Sequence, residues 1–237
     1  MRGAREYYDR FASGYELRRS QGYHALLDEL ESELVRRHVK GMRVLDAGCG
    51  TGLVSTRLAD VYPAIIGVDL SRRMLIQAQD RGQRVLQADL GTLPFKDEAF
   101  DGLFSFKVLA HVPRLYEALK ELKRVVKPGG ILILEFYNPV SIRGLKKKFR
   151  IKHKVASDAD ETEVYMAFHT LGRIKKILPR GLKLEAVRGI MIFTPLAVVH
   201  RLPLLGALFR FLERKCCDGI LKCFGGFLDV VVRKIDH

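Results

Sequence analysis

The nine residues Val44-Leu45-Asp46-Ala47-Gly48-Cys49-Gly50-Thr51-Gly52 constrain this chain more than any other segment. An apolar run ending in glycines at alternate positions reads as a buried strand that breaks into a tight turn. Leu53 to Val61 reads as the helix that follows. Glycines allow the positive φ angles of a sharp strand-to-helix turn and let a ligand approach the backbone closely. The spacing is G-x-G-x-G behind an aspartate, distinct from the G-x-G-x-x-G of dinucleotide sites. A bend of this kind suits a nucleoside-bearing ligand.

Two further strand ends carry acids. Ala64-Ile65-Ile66-Gly67-Val68-Asp69 is a short apolar run closed by an acid and followed by Leu70-Ser71. In doubly wound folds an acid at the end of the second strand accepts hydrogen bonds from ribose hydroxyls. Gln87-Ala88-Asp89-Leu90 places a third acid where an adenine amino group would lie. One such acid is usually a helix cap or a solvated loop residue. Three of them, after three successive strands and in step with a glycine turn, point to one site.

The rest of the pattern alternates in the same way. Apolar residues at helical spacing run from Tyr23 to Val39. Strands are expected near 42–47, 64–69, 84–88, 100–106 and 130–137, with helices near 53–61, 71–80 and 113–126. Ser71 suits the N-cap of the second of these helices. The continuous apolar run Ile131 to Phe136 fits a central strand buried on both faces. Such alternation predicts an α/β fold with a doubly wound, parallel sheet and ligands beyond its carboxyl edge.

At these residues the chain resembles class I S-adenosylmethionine-dependent methyltransferases, the broad group that includes quinone-biosynthesis methyltransferases. The matching pieces are Tyr8-Asp9-Arg10-Phe11-Ala12 with Tyr15, then Val44 to Gly52, then Gly67 to Ser71. They continue through Ala88-Asp89, Leu93-Pro94-Phe95, Phe100-Asp101 and Arg124 to Gly130. The resemblance covers roughly residues 5 to 140 and, more loosely, the chain to 193. It implies a mostly parallel seven-stranded sheet with an antiparallel last strand, in which 182–193 and 226–235 form the closing pair. It also implies S-adenosylmethionine as cofactor. Asp46, Gly48, Gly50 and Gly52 then serve the turn and the methionine portion, Asp69 the ribose, and Asp89 with Leu90 the adenine. Tyr8 and Tyr15 close over the methionine end, with Arg10 or Arg18 as partner for its carboxylate. Cys49, Leu70 and Phe106 complete the candidate cofactor contacts, Cys49 as a small packing residue.

The fourth strand end, Phe104 to His111, faces the transferred methyl in related folds. Enzymes that methylate a base amine carry Asn or Asp, then Pro-Pro and an aromatic there; this chain reads Ser105-Phe106-Lys107. No cysteine lies near this end for attack on a pyrimidine ring. Lys107 and His111 are the candidates to orient or deprotonate an oxygen or carbon acid. Tyr137-Asn138-Pro139 is expected at the rim. No metal-ligand cluster is evident, and none of the four cysteines forms a C-x-x-C pair.

The chain is expected to be one domain over 1–237, with a helical cap at 1–40 and a cofactor-binding core at 41–140. A basic then acidic segment follows at 141–169, and an apolar-basic insertion at 194–225 precedes the last strand. In that insertion Leu204, Leu205, Leu208, Phe211 and Leu212 share a helical face. It reads as a cap helix, a lid over an apolar substrate, or an interfacial helix. Its apolar stretch is too short for a membrane span. With 41 Lys plus Arg against 27 Asp plus Glu, the net charge of +14 favours anionic partners. The expected function is methyl transfer to a small or lipid-like acceptor at oxygen or carbon, in the cytoplasm and with peripheral contact to anionic membrane. Nucleic acid ranks below this: an RNA methyltransferase using the basic run 141–154 is one alternative, and a non-catalytic cofactor-binding protein is another. No secretory signal is read in the polar N-terminus.

Overall fold

A computed structural model describes residues 2–12, 23–141, 144, 154–156, 159–160, 165–194 and 203–235. Tyr15, Arg18, most of the basic run 141–154, most of the acidic patch at 158–163, and 195–202 lie outside the described residues.

Seven strands form one sheet: β1 Arg43–Ala47, β2 Ala64–Asp69, β3 Arg84–Gln87, β4 Phe100–Ser105, β5 Val126–Tyr137, β6 Leu182–Ile190 and β7 Phe227–Lys234. Their spatial order is β3-β2-β1-β4-β5-β7-β6. The first five run parallel, and β7 lies antiparallel between β5 and β6. The expected doubly wound sheet with an antiparallel last strand is therefore the observed one. Strand order reverses between β1 and β4, so the ligand crevice opens at the carboxyl ends of those two strands.

The α-helices bounded within the described residues are α1 Arg2–Phe11, α2 Tyr23–His38, α3 Leu53–Leu58, α4 Arg72–Asp80, α5 Leu115–Val125, α6 Leu171–Ile177 and α7 Pro203–Cys216. Ser71 caps α4 by accepting the Met74 N–H, as its sequence position implies. Thr170 caps α6 in the same way through Arg173. Three boundaries differ from expectation. Helix α3 stops at Leu58, five residues short of Pro63, and its last turn is tied off by N–H bonds from Val61 and Tyr62 to the Leu58 carbonyl. Helix α5 starts at Leu115 because Arg114, next to Pro113, leaves the helical region. Strand β5 starts at Val126, so Pro128-Gly129-Gly130 sits inside an irregular strand that slips register between Phe100 and Gly102.

Both faces of the sheet are covered. Along the central strands neighbouring residues divide between two apolar clusters. Leu45, Leu103 and Leu132 face Leu119, Leu122 and Ile174. Val44, Phe104 and Ile133 face Leu34, Val35 and Leu58. This two-residue alternation with apolar residues on both sides is why β1, β4 and β5 read as unbroken hydrophobic runs. Helix α2 is held at its end by the Tyr62 hydroxyl, which donates to the Val35 and Val39 carbonyls.

Inside this apolar frame, Asp46 ends up almost fully buried at the end of β1. The Ser55 hydroxyl donates to its Oδ2 at 2.6 Å and so ties the strand to α3. Burial pushes the Asp46 carboxyl up to about 7, outweighing the Ser55 bond that lowers it. The folded protein thus holds this proton more tightly than the unfolded chain does. The resulting stabilisation is complete below the unfolded value of about 3.9 and is lost as pH rises through 7. Asp46→Asn, which keeps an acceptor for Ser55, is expected to be more stable than the parent at pH 8. The gain should be on the order of 1–3 kcal/mol, narrowing toward pH 5. Urea midpoints across that range check this; a pH-independent difference would contradict the assignment.

Candidate cofactor and acceptor site

Three glycines at alternate positions bend the chain after β1. Gly48, Gly50 and Gly52 have φ of +87°, +54° and +78°, a region side chains rarely enter. The turn is closed by the Gly48 and Cys49 N–H groups, which both donate to the Val68 carbonyl at 2.8 and 2.9 Å. Gly48 is also required by space, since a Cβ there would sit 2.2 Å from Val108 Cγ2. Gly50 differs: a Cβ there would meet nothing within 4 Å, so the backbone on this side of the bend is open to approach. Next to it the Thr51 hydroxyl oxygen is buried with no hydrogen-bond partner among the described residues.

Asp69 clamps this bend. Its Oδ2 accepts the Gly50 N–H at 2.9 Å, and its Oδ1 accepts the Ser71 N–H at 2.8 Å. Each oxygen retains acceptor capacity for a further donor. Burial raises the Asp69 carboxyl above the usual range even though these N–H bonds pull it down. One strand further, the Ala88 N–H donates to the Asp69 carbonyl, which sets Asp89 beside it. Asp89 Oδ1 accepts the Gly91 N–H at 2.9 Å, and Leu90 is buried. Leu70 flanks the site and gives its carbonyl to Gln87 Nε2. Cys49 lies under the turn: a Cβ on Gly67 would meet its Sγ at 2.7 Å, and burial pushes its thiol up. Packing, not thiol chemistry, is what this position provides.

Helix α1 covers the bend. Asp9 Oδ1 accepts the Ser71 hydroxyl at 2.6 Å and the Arg73 N–H at 3.2 Å, and Gln77 Nε2 donates to the Ala12 carbonyl. That docking brings Tyr8 close to Asp69 and Tyr137. Burial first, and then the neighbouring Tyr137, Tyr7 and Asp69, raise its phenol above the ordinary value. Its ring meets His111 edge to face at 6.0 Å.

His111 lies in the short 3₁₀ turn Leu109–His111 after β4. Its Nδ1 is 3.0 Å from the Tyr165 carbonyl oxygen, and its Nε2 is 3.4 Å from the Tyr137 hydroxyl. A carbonyl can only accept, so Nδ1 carries a proton, and in the neutral imidazole Nε2 then presents its lone pair. The Tyr137 ring packs edge-on to His111 at 5.5 Å and is itself held by Phe168 and Phe227. Tyr8, His111 and Tyr137 thus pack edge to face beside the bend.

Two expected site residues point elsewhere. Phe106 is buried and stacks on Phe104 within the core cluster facing α2. The Lys107 ammonium pairs with Glu31, and with Asp28 at 3.5 Å, both on α2. Its backbone is left-handed at φ +61°, and its N–H donates to Glu135 Oε1 at 2.9 Å. Lys107 thus anchors the β4 end to a buried carboxylate cluster. Glu135 of β5 sits in register opposite Asp229 of β7, both essentially inaccessible to solvent. Burial and then Glu135 push the Asp229 carboxyl well up, and neither of its oxygens has a hydrogen-bond partner among the described residues. This cluster is missing from the sequence-based set. Its signal was present, since lone acids at 135 and 229 interrupt strands that are otherwise apolar.

The geometry fits S-adenosylmethionine: an open glycine backbone at Gly50, a buried Thr51 hydroxyl with no partner among the described residues, a carboxylate with capacity for two more donors, and aromatic rings alongside. Comparisons with known proteins agree. Residues 45–134 match a family model described as a methyltransferase domain. An uncharacterised protein of Methanocaldococcus jannaschii is 32% identical over 154 residues, covering 65% of this chain and 72% of that protein. A malonyl-[acyl-carrier protein] O-methyltransferase of Erwinia pyrifoliae is 35% identical over 130 residues, 53% of this chain and 50% of that protein. The chain spans about half the length of several curated relatives it matches. Among solved structures, an S-adenosylmethionine-dependent methyltransferase of Thermotoga maritima, described as a possible histamine N-methyltransferase, superposes with a TM-score of 0.71. It shares 22% identity, with 97% of this chain and 99% of that one covered, and so speaks for the fold. On this fold, this turn and these relatives, the chain belongs to the class I S-adenosylmethionine-dependent methyltransferases.

Proposed function

We propose that this protein methylates a hydroxyl oxygen of a small or lipid-like acceptor, with His111 as the base. The observation that carries the reading is the 3.0 Å contact between His111 Nδ1 and the Tyr165 carbonyl oxygen. The Tyr165 carbonyl holds a proton on Nδ1, which in the neutral imidazole leaves Nε2 as the proton acceptor beside the rings of Tyr8 and Tyr137. The bond from the Tyr137 hydroxyl to Nε2 is long at 3.4 Å, so an incoming hydroxyl can displace it.

The bound cofactor supplies an electrophilic methyl group. Asp69 would hold its ribose, Asp89 and Leu90 its adenine, and the Gly48–Gly52 turn its methionine end under Tyr8. The residues of the acceptor side then have two tasks. Tyr8 and Tyr137 exclude water and orient the acceptor, and His111 Nε2 takes up the hydroxyl proton as the oxygen attacks. Orientation of two reactants in one site is worth roughly 7–11 kcal/mol, and a positioned base adds about 10²–10⁴-fold. Lys107 contributes by position: its ammonium is committed to Glu31 and Asp28, and its left-handed backbone sets Val108 against Gly48. An oxygen acceptor accords with the O-methyltransferase named among the relatives. The aromatic rings of Tyr8, Tyr137 and Phe168 favour an acceptor with an apolar body.

Three outcomes test the proposal. Incubation with methyl-labelled cofactor and fractionated cell extract is expected to label a small-molecule or lipid fraction in a base-stable methyl ether. Label confined to RNA would contradict it. His111→Gln is expected to lower kcat by about 10²–10⁴-fold with little change in cofactor affinity. Loss of cofactor binding instead would move His111 out of the acceptor side. Asp69→Asn removes a charged acceptor and is expected to weaken cofactor binding by roughly 10- to 100-fold by calorimetry. In the parent, affinity should fall as pH drops through the raised Asp69 value, because ribose hydroxyls donate to the ionised form.

A further inference from the structure

Helix α7 is docked with its apolar side outward. Its single acid, Glu213, is buried and accepts the Ile192 N–H at 3.1 Å, the Phe193 N–H at 2.9 Å and the Thr194 hydroxyl at 3.2 Å. These bonds fix the rotation of the helix about its axis. Gly206 and Glu213 face the body, whereas Leu204, Leu205, Leu208 and Phe211 are 87%, 47%, 51% and 57% exposed. At 3.6 residues per turn, Leu204, Leu208, Phe211 and Lys215 form one outward stripe. The Lys215 ammonium lies 5.9 Å from the centre of the Phe211 ring. The following 3₁₀ turn, Ile220–Phe224, exposes Ile220 at 92% and Phe224 at 50%. A surface helix ordinarily buries its apolar stripe, and an exposed one marks a contact site.

We propose that this face of α7 docks on an anionic lipid surface. Charge selects the occupant. The basic residues of the segment are Arg210, Lys215, Lys222 and Arg214, the last of which pairs with Glu29 of α2 at 2.7 Å, so Arg210, Lys215 and Lys222 carry the cationic rim. Its acids are Glu213, turned inward, and Asp218, held by Arg188 and Arg37. The outward face thus offers leucines, a phenylalanine and cations, with no exposed acid on the helix. A second copy of a chain carrying +14 would bring like charge against like. An anionic bilayer offers acyl chains for the apolar stripe and phosphates for its rim. The helix has 14 residues, about 21 Å, and lies along such a surface rather than across it. None of the described helices is long and apolar enough to cross a membrane.

Flotation of the full chain with vesicles tests this. Phosphatidylcholine vesicles with about 30% phosphatidylglycerol should capture the protein at 0.1 M salt, and pure phosphatidylcholine should not. L208E/F211E is expected to reduce capture by about tenfold or more, with thermal unfolding and cofactor binding unchanged, since both side chains point to solvent. Lys215→Glu should shift the salt dependence in the same direction. The proposal is overturned if the parent chain fails to float with anionic vesicles, or if L208E/F211E floats as well as the parent. It is equally overturned if the double variant converts a dimer to a monomer in sedimentation velocity while capture is unaffected, which would assign the face to a second copy. A loss of stability in L208E/F211E without loss of capture would assign it to the chain's own residues 195–202.

Discussion

A half-buried carboxylate holding a bend that has no side chains of its own is the contact on which this site depends. Gly50 contributes an N–H at φ +54°, Ser71 contributes another, and Asp69 accepts both at under 3 Å. The bond from Gly50 joins the turn after β1 to the end of β2, and the bond from Ser71 fixes the start of α4. Without Asp69, the Gly50 and Ser71 N–H groups would lack these acceptors. Burial raises the carboxyl against these bonds, so the site carries electrostatic cost that further donors on a ligand relieve. A cofactor with ribose hydroxyls supplies such donors.

The same bend sets the acceptor side through one steric contact. Val108 occupies the space a Cβ on Gly48 would need, so the end of β4 is seated directly on the cofactor turn. The orientation of Val108 follows from the left-handed Lys107, and Lys107 is held by Glu135 at its backbone and by Glu31 and Asp28 at its ammonium. His111 follows four residues later, held by the Tyr165 carbonyl and the Tyr137 hydroxyl. A chain of short-range contacts thus runs from the buried acids of β5 and α2 to the imidazole. Burying acids beside one lysine costs stability, and a function in placing the β4 end accounts for keeping them there.

Much of this was legible in the sequence. The strand ends bearing Asp46, Asp69 and Asp89 lie where the alternation of apolar runs and glycines put them, because parallel strands buried on both faces leave an unmistakable apolar pattern. The bend at Gly48–Gly52 could be read because only glycine tolerates three left-handed residues in five. What the sequence hid were consequences of long-range pairing. Phe106 has the composition of a site aromatic, yet the two-residue period of β4 carries it to the α2 side with Phe104. Lys107 reads as a titratable candidate, and only the packing of α2 reveals the carboxylates that claim it. Glu135 and Asp229 were visible as acids in apolar strands, but their pairing required the register of β5 with β7. The inward Glu213 that turns the apolar face of α7 to solvent depends on contacts with residues 192–194, twenty positions away.

The central claim is that the bend between β1 and α3, with the carboxylates of β2 and β3, is where S-adenosylmethionine binds. Hydrogen exchange of backbone amides with and without S-adenosylhomocysteine measures this most directly. Slowed exchange is expected at Gly48–Gly52, at Asp69–Ser71 and at Asp89–Gly91, with the strands beneath unchanged. Binding that leaves these amides as exposed as before, or that protects a different edge of the sheet, would contradict the account.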